Sequence, residues 1–431
     1  MSHADVGTAS PRDAGVVAGS DAGPQQTGGV GTFLNVGFFD QHLAAGPDGT
    51  MHLTFMDGAA ERVYYGSCKS GCGNPAAWNP VLLRTNAQLG VTTVGPYGIG
   101  VDATGRIHRL ISAVTQMGQS ANALVYATCA AGCGSAANWT YLDLSSLSVG
   151  NEAVGTSRPF MVQPSGRVSF LTSEPGIYFA CDGNCTSLSS WSAAVSLNGN
   201  PLHAAIDGAG VTHVMLATGY TTNNERVLQY SRCASSCTVP ASWQTSAVGF
   251  LSRGNDWGAS LAVTAGGRVF MAYNQGEITV SQQDNRKLLL ASCAGSGCLD
   301  LDSWSTVVFP TLDEGLDGSW IETSGESAVL VSTSLFDLNL RGCDQDCHLA
   351  SSWGAPVAVD SSNAINASWP PDTGSSCPGN SESANWWPRR PTVGVNSTGV
   401  VVVHNPTAIV KCPGTSGPSS LPPIGRVIST F

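Results

Sequence analysis

The segment CAAGCGSAANW at residues 129–139 holds two Cys residues separated by three others, and a Trp six residues after the second Cys. Five further Cys pairs in the chain are followed by a Trp at the same offset. The six pairs are Cys68/Cys72, Cys129/Cys133, Cys181/Cys185, Cys233/Cys237, Cys293/Cys298 and Cys343/Cys347. The Trp residues are Trp78, Trp139, Trp191, Trp243, Trp304 and Trp353. Repeats spaced 50 to 61 residues apart are typical of a β-propeller, in which each repeat forms one four-stranded blade.

A turn that contains Gly precedes each Cys pair, and a seventh such turn, STG before Val400, stands without a complete pair. Gly supplies the positive φ that tight turns need, and β-branched or aromatic segments flank these turns as strands require. In the second repeat the predicted strands are 98–102 (A), 106–112 (B), 123–129 (C) and 139–144 (D). The sequence therefore predicts an all-β, seven-bladed propeller with four antiparallel strands per blade and a Cys pair in the C–D turn of six blades.

The ends of the chain set the domain boundaries and the closure of the ring. Residues 1–30 are rich in Gly, Ala, Ser, Asp and Pro, so we expect a flexible leader there, behind an export signal that is not in this sequence, and the propeller over residues 31–431. In the seventh repeat, AIVK before Cys412 is the predicted C strand. Two segments compete for the last outer strand, 426–431 and 33–36.

The paired cysteines are best explained as disulfides. A zinc site would need two pairs to meet, but each pair belongs to a different blade. We expect each disulfide to hold the C–D turn and to seat the following Trp against the next blade. Cys377 and Cys412 are left over and form a predicted seventh disulfide. Disulfides persist in oxidising compartments, so we expect a secreted or cell-surface protein.

Composition excludes several classes of partner. The net charge is −11 and only 11% of the residues are charged, and there is no Lys/Arg run that could neutralise phosphates. No apolar run is long enough to span a membrane. Metal-ligand and nucleophile motifs are absent. We expect a monomer without cofactor, metal or nucleic-acid partner, whose ligand is a carbohydrate or an extracellular protein.

Strand direction places the A–B and C–D turns on one face, hereafter the turn face, and the D–A and B–C connections on the other, hereafter the loop face. The loop-face connections differ between blades, and binding groups usually lie on such divergent loops. Candidate acid–base residues there are His203, His42, Tyr97, Tyr220 and Arg158. Candidate ligand-binding residues are Asp40, Asp256, Trp257, Trp320, Trp386, Trp387, Arg389 and Arg390. His52, His108 and His213 instead repeat at one B-strand position, which indicates packing.

Three functions fit these residues. Aromatic rings with interspersed Asn, Asp and Arg suit carbohydrate binding at a single site, since the loops do not repeat. A polysaccharide lyase could use His and Tyr as acid and base with Arg against a carboxylate, whereas a glycoside hydrolase would need two carboxylates, of which Asp40 and Asp256 are the best candidates. A pure scaffold would have no concave polar site. We favour the binding protein, with the enzyme as the alternative.

The segments AAGPDGTMHLTFMD…RVYYGSC, GVDATGRIHRLIS…LVYATC and AIDGAGVTHVMLAT…VLQYSRC resemble secreted bacterial propeller repeats of the broad sialidase-like (BNR-like) group. The resemblance covers about residues 32–431 and implies the fold more strongly than an activity. It also implies candidates for the arginine triad of sialidases, namely Arg158, Arg389 and Arg390. The Asp box of that group lies in the C–D turn, where this chain has its Cys pair.

Overall fold

A computed structural model shows seven four-stranded antiparallel sheets, which confirms the predicted fold class. It describes residues 27–33, 41–57, 61–114, 120–121, 123–147, 152–153, 159–172, 176–220, 226–250, 259–275, 287–309, 319–334, 337–361, 364–365, 384–387, 391–396, 399–404, 407–410, 419–420 and 425–430. Each sheet is one blade, and its strands are named A to D from the axis outward.

The strands are rich in aliphatic, β-branched and aromatic residues, which pack well on a pleated surface. The A strands of blades 1 to 7 are His42–Ala45, Thr93–Val101, Phe160–Val162, Asn200–Ile206, Ser260–Val263, Ser319–Ser324 and Thr392–Asn396. The B strands are Met51–Met56, Ile107–Val114, Val168–Leu171, Thr212–Tyr220, Arg268–Gln275, Ser327–Thr333 and Gly399–His404. The C strands are Arg62–Cys68, Ala123–Cys129, Ile177–Cys181, Arg226–Cys233, Lys287–Ala294, Asp337–Cys343 and Gly425–Thr430. The D strands are Val81–Thr85, Thr140–Asp143, Val195–Ser196, Gln244–Phe250, Ser305–Val308, Val357–Ser361 and Thr27–Phe33.

Smaller elements decorate the ring. Ser120–Ala121 pairs with Glu152–Ala153, and Ala384–Trp387, Thr407–Val410 and Ser419–Ser420 form a three-stranded sheet. The α-helix Asn86–Leu89 follows the D strand of blade 1. Short 3-10 helices are Pro75–Ala77, Ala136–Asn138, Ser145–Leu147, Leu188–Ser190, Pro240–Ser242, Gly295–Leu299, Leu301–Ser303 and Ala350–Ser352. Within the described ranges, no helix is both long and apolar enough to cross a membrane.

The ring closes between the two ends of the chain. Each A strand contacts the A strands of its two neighbours, and the contact between blades 7 and 1 completes the circle. In blade 7 the C strand is Gly425–Thr430, and the N-terminal strand Thr27–Phe33 pairs with it as the outer strand. The prediction of AIVK as the C strand is wrong, because Thr407–Val410 pairs with Ala384–Trp387 in the separate sheet. Of the two alternatives for the outer strand, the N-terminal segment is confirmed in that role, with the bounds Thr27–Phe33 instead of 33–36. The other alternative, 426–431, is wrong, because Gly425–Thr430 occupies the C position.

The strands Thr27–Phe33 and Gly425–Thr430 bond to each other in blade 7. Each would otherwise expose the unpaired backbone groups of that edge. The strand at the N-terminus begins at Thr27, within the stretch expected to be leader. Residues 1–26 lie outside the described residues, so the leader stays a prediction.

All six predicted local disulfides are present in the structure. Each joins the end of a C strand to the turn that follows it, and the Cα atoms of the two cysteines lie 5.3–5.8 Å apart. The bonds are Cys68–Cys72, Cys129–Cys133, Cys181–Cys185, Cys233–Cys237, Cys293–Cys298 and Cys343–Cys347. They are consistent with the expected oxidising compartment. The predicted pair Cys377–Cys412 lies outside the described residues.

Each disulfide supports its Trp in the same way. A 3-10 turn follows the second Cys, and the Trp indole N–H then donates to the carbonyl of that Cys at 2.8–3.2 Å. This bond explains the fixed offset of six residues. The accepting carbonyls are those of Cys72, Cys133, Cys185, Cys237, Cys298 and Cys347.

The Trp packs against the preceding blade, not the next one as predicted. Trp191 of blade 3 lies edge-on to Tyr126 of blade 2 with ring centroids 5.5 Å apart. Equivalent contacts join Trp139 to Tyr65, Trp243 to Tyr178 and Trp304 to Tyr230. The direction follows from the 3-10 turn, which folds the indole back over its own disulfide. Six of the seven blade interfaces therefore contain a Cys pair, a Trp and an apolar cluster.

The interface between blades 6 and 7 differs because blade 7 has no such turn. A buried ionic cluster lies there beside an aliphatic core. Arg426 donates to both carboxylate oxygens of Asp360 at 2.8 and 2.9 Å, and His404 Nε2 lies 2.8 Å from Asp360 Oδ2. Burial by itself raises the pKa of Asp360, but the bonds from His404 and Arg426 hold that pKa below its ordinary value.

We predict that Trp191→Phe costs about 1 kcal/mol of unfolding free energy, since it removes one hydrogen bond and keeps most of the ring packing. Trp191→Ala should cost about 3–5 kcal/mol because it also leaves a cavity. Replacing Cys181 and Cys185 together by Ala should cost about 2 kcal/mol, the loop-entropy value for so short a ring. Urea unfolding of the four proteins measures this. Equal stability of Trp191→Phe and the unsubstituted protein would contradict the role of the indole N–H.

A second prediction concerns the ionic cluster. Asp360→Asn should cost about 3–5 kcal/mol, because it leaves the Arg426 charge buried without its partner. Asp344→Asn, an exposed change in the same blade, serves as the control in urea unfolding at neutral pH. A loss from Asp360→Asn no larger than that of the control would show that the cluster does not join blades 6 and 7.

Candidate binding site at the propeller axis

One position of the A strand carries an aromatic ring in three blades. In each of these blades the first Cys lies opposite a B-strand residue in the strand pairing, and that residue lies opposite an A-strand residue. The A-strand residue is Ala45 in blade 1, Ile206 in blade 4 and Thr323 in blade 6. Three residues before it stand His42 in blade 1, His203 in blade 4 and Trp320 in blade 6. These equivalent positions lie at one level along the axis, toward the loop face. Three of the predicted site residues are thus brought to one place.

The rings meet across the axis. His203 and Trp320 lie edge to face with ring centroids 4.7 Å apart, although blade 5 separates their blades. His42 is close enough to His203 for the two rings to influence each other's protonation. Among the described residues, no hydrogen-bond partner is found for His42 Nε2, His203 Nδ1 or Trp320 Nε1. Buried polar atoms are nearly always paired in folded proteins, so these three nitrogens mark a place for a bound polar group.

Both imidazoles are neutral at pH 7. Burial lowers the pKa of His42 to about 3, with further lowering by His203 and Arg109. Burial also lowers the pKa of His203 to about 4, opposed by a hydrogen bond to the Leu261 backbone. That bond uses Nε2 of His203, so Nδ1 is the ring nitrogen that is left to bond a ligand. The site therefore offers uncharged nitrogens beside an aromatic ring rather than a cationic pair.

Two charged residues near the axis were missed by the sequence analysis. Glu322 lies two residues beyond Trp320, and burial raises its pKa to about 7, although the Trp320 indole and the Thr323 backbone oppose the shift. The Trp320 N–H lies near enough to the Glu322 carboxyl to oppose the rise in its pKa, but the geometry of the pair is outside that of a hydrogen bond. At neutral pH the Glu322 carboxyl is thus near its midpoint of titration.

The second missed residue is Arg109 in the B strand of blade 2. It is fully buried, and it stands where blades 1 and 3 have Leu53 and Phe170. Its Nη1 donates to the Tyr64 carbonyl at 3.3 Å, while Nε and Nη2 find no partner among the described residues. Burial lowers its pKa to about 9. The signal that could have found it is the alignment of RIHRLIS with the B strands of other blades, which carry an apolar residue at this position.

Other predicted residues lie elsewhere or outside the described residues. Tyr97 is buried between blades 2 and 3, where its hydroxyl donates to the Leu171 carbonyl at 2.5 Å and its ring packs on Phe170. The backbones of Tyr220, Trp386 and Trp387 belong to strands near the loop face. Their side chains lie outside the described part, as do the whole residues Asp40, Arg158, Asp256, Trp257, Arg389 and Arg390.

The three repeated B-strand His residues are buried and bonded, as expected for packing. The Nδ1 atoms of His52, His108 and His213 lie 2.6–2.8 Å from a Tyr hydroxyl of the same blade. In blades 2 and 4 an Asp of the A–B turn also lies 3.2–3.3 Å from Nε2. These bonds tie the turn to strands B and C.

Comparison with known proteins finds no matching family model. No curated protein matches this chain either. Among solved structures it is similar to polysaccharide lyase Uly1 (10% identity, 88% of each chain, TM-score 0.46). It is also similar to the virginiamycin B lyase of Staphylococcus aureus (8% identity, 93% of this chain and 99% of the other, TM-score 0.46). A third is an α-L-arabinanase of Penicillium chrysogenum complexed with arabinobiose (12% identity, 70% and 94%, TM-score 0.45). The propeller assignment rests on the strand pairing of the chain itself.

Proposed function

We propose that the protein is an extracellular propeller that binds a carbohydrate at the loop-face end of its axis. The observation that carries this proposal is the convergence of His42, His203 and Trp320, whose ring nitrogens have no partner among the described residues. A sugar hydroxyl both donates and accepts hydrogen bonds. The Trp320 N–H is a donor and the free His203 Nδ1 is an acceptor, so one hydroxyl could satisfy both.

The composition of the site supports an uncharged or hydroxyl-rich ligand. Its two imidazoles are neutral at pH 7, and an aromatic ring offers the apolar face on which sugar rings pack. Each of the three rings comes from a different blade and occurs once, so the proposal is for a single site per molecule rather than a repeated lectin site.

A second candidate is the polysaccharide-active enzyme, and Glu322 is the observation in its favour. A carboxyl with a pKa of about 7 is suited to general acid or base catalysis near neutral pH. A screen of acidic polysaccharides for unsaturated products, and of neutral ones for reducing ends, tests this candidate. Turnover that is lost in Glu322→Gln would favour the enzyme, and binding without turnover would favour the binding protein.

We predict that Trp320→Ala and His203→Ala each weaken carbohydrate binding at least tenfold, because each removes a ligand-facing nitrogen and part of the ring surface. A glycan array identifies the ligand, and calorimetry with that ligand measures the loss. His348→Ala, a His change on the turn face, is the matched control. Wild-type affinity in both axial variants would reject the site, provided that circular dichroism shows them folded.

The protonation of Glu322 gives a prediction on stability. Its folded-state pKa of about 7 lies above the ordinary 4.5, so the folded state keeps the proton between these values while the unfolded state loses it. The contribution of Glu322 to stability is therefore full below pH 4.5 and falls as the pH rises to about 7. Glu322→Gln should remove this loss and be more stable than the unsubstituted protein at pH 8, by about 2 kcal/mol after allowance for partial exposure.

Urea unfolding at pH 4, 6 and 8 checks this prediction, with the exposed Glu61→Gln as control. A constant difference between Glu322→Gln and the unsubstituted protein across this range would contradict the raised pKa.

A further inference from the structure

The turn face carries a polar cavity of about 290 Å³ between blades 2 and 3. Its walls come from the A–B turns of both blades and the C–D turn of blade 3. They include Asp102, Arg106, His108, Tyr126, Thr128 and Asn184. All the site residues predicted from the sequence were assigned to the opposite, loop face. The volume is at the lower end of that of small-molecule sites, which suits a ligand of about one sugar ring.

The wall of the cavity is held in place by a chain of hydrogen bonds. Asp102 Oδ1 accepts from Thr104 and from the Arg106 backbone N–H, at 2.6–3.0 Å. Asp102 Oδ2 lies 3.2 Å from His108 Nε2, and His108 Nδ1 lies 2.6 Å from the Tyr126 hydroxyl. Since Nε2–H of the neutral imidazole donates to the carboxylate, Nδ1 has no proton and accepts a hydrogen bond from the Tyr126 hydroxyl. Both carboxylate oxygens are therefore occupied by the protein.

The groups left for a ligand can be deduced from these bonds. The hydroxyl protons of Tyr126 and Thr128 go to His108 and to the Ile107 carbonyl, so their oxygens remain as acceptors. Asn184 Oδ1 accepts from the Thr186 hydroxyl at 2.5 Å, so the Asn184 amide N–H groups remain as donors. These two acceptors and one amide donor match the hydroxyls of a sugar.

Arg106 adds a positive charge to this set. Its side chain is exposed, and it forms no ion pair with any residue that the structure describes. Arg binds carboxylates in a planar, bidentate geometry. Arg106 forms no ion pair with Asp102, whose oxygens bond to Thr104, His108 and the Arg106 backbone, so the guanidinium N–H groups of Arg106 are available to an anionic group of a ligand.

Blade 4 repeats the hydrogen-bonded chain without these ligand groups. Asp207, His213 and Tyr230 are bonded there at 3.3 and 2.6 Å as in blade 2. Val211 replaces Arg106 four residues after the Asp, and Arg232 replaces Thr128 opposite the His in the strand pairing. The chain of bonds is thus scaffold common to both blades, whereas blade 4 lacks both Arg106 and Thr128 at the corresponding positions.

We propose that this cavity binds a sugar residue that carries a carboxylate, such as a hexuronate. The carboxylate would pair with Arg106, and the ring hydroxyls would bond to Tyr126, Thr128 and Asn184. The site is separate from the axial one and lies on the opposite face. The protein would then contact an acidic polysaccharide at its turn face whether or not the axial site binds.

The experiment is a calorimetric titration with the methyl glycosides of glucuronate, galacturonate and glucose. It uses a Trp320→Ala background, in which we expect the axial site to bind at least tenfold more weakly. Arg106→Gln should weaken binding of a uronate at least tenfold and leave the weaker binding of the glucoside unchanged. Ser165→Trp, which fills the cavity from the blade 3 turn, should abolish uronate binding. Arg268→Gln, at the same turn position in blade 5, is the matched control and should have no effect.

The proposal would be overturned if neither uronate binds. It would also be overturned if uronate binding survives both Arg106→Gln and Ser165→Trp. Equal affinity for uronate and glucoside would also overturn it, because the Arg106 charge would then play no part. Both variants change exposed residues, and circular dichroism checks that they fold. The axial proposal is unaffected by any of these outcomes, since its variants are tested with its own ligand.

Discussion

In six blades a Trp indole donates its N–H to the carbonyl of the second Cys of a local disulfide, and this bond orients the ring that packs each blade on the preceding one. The disulfide shapes the turn, the 3-10 helix returns the chain, and the indole is held edge-on to an aromatic or apolar residue of the neighbour. Local geometry within about ten residues thus becomes a contact between sheets. Because six of the seven interfaces repeat the same contact, small sheets with few charged residues form a stable ring.

The seventh interface shows what replaces this device. Blade 7 is assembled from both ends of the chain and has no Cys–Trp turn, so the aliphatic core there is joined by the Asp360, His404 and Arg426 cluster. A buried ion pair loses much of its attraction to the cost of desolvation. The ion pair nevertheless specifies which blade packs against blade 6, because a misplaced blade would leave the charge of Asp360 or Arg426 buried without its partner. That property is useful at the one junction where distant parts of the chain must meet.

The seven blades and six disulfides were predictable because each blade is determined by local signals repeated along the chain. Ring closure was not, since blade 7 lacks the Cys–Trp signal and its strands are separated by nearly the whole sequence. His42, His203 and Trp320 were selected one by one as site candidates, and the register of the blades explains why they meet. Glu322 and Arg109 were missed because their importance comes from burial, which a single charged letter in a strand does not reveal. The turn-face cavity was missed because its scaffold residues repeat, and because the Arg at the position of Arg106 recurs in blades 3 and 5 as Arg167 and Arg268.

The central claim is that blades 1, 4 and 6 bring their rings together at the axis. A double-mutant cycle on His203→Ala and Trp320→Ala tests it most directly, because these residues are more than 100 positions apart in sequence but lie 4.7 Å apart between ring centroids. We expect the two losses of unfolding free energy to be non-additive by about 1 kcal/mol, as for other edge-to-face ring pairs. Additivity within about 0.3 kcal/mol, the behaviour of distant sites, would contradict the convergence.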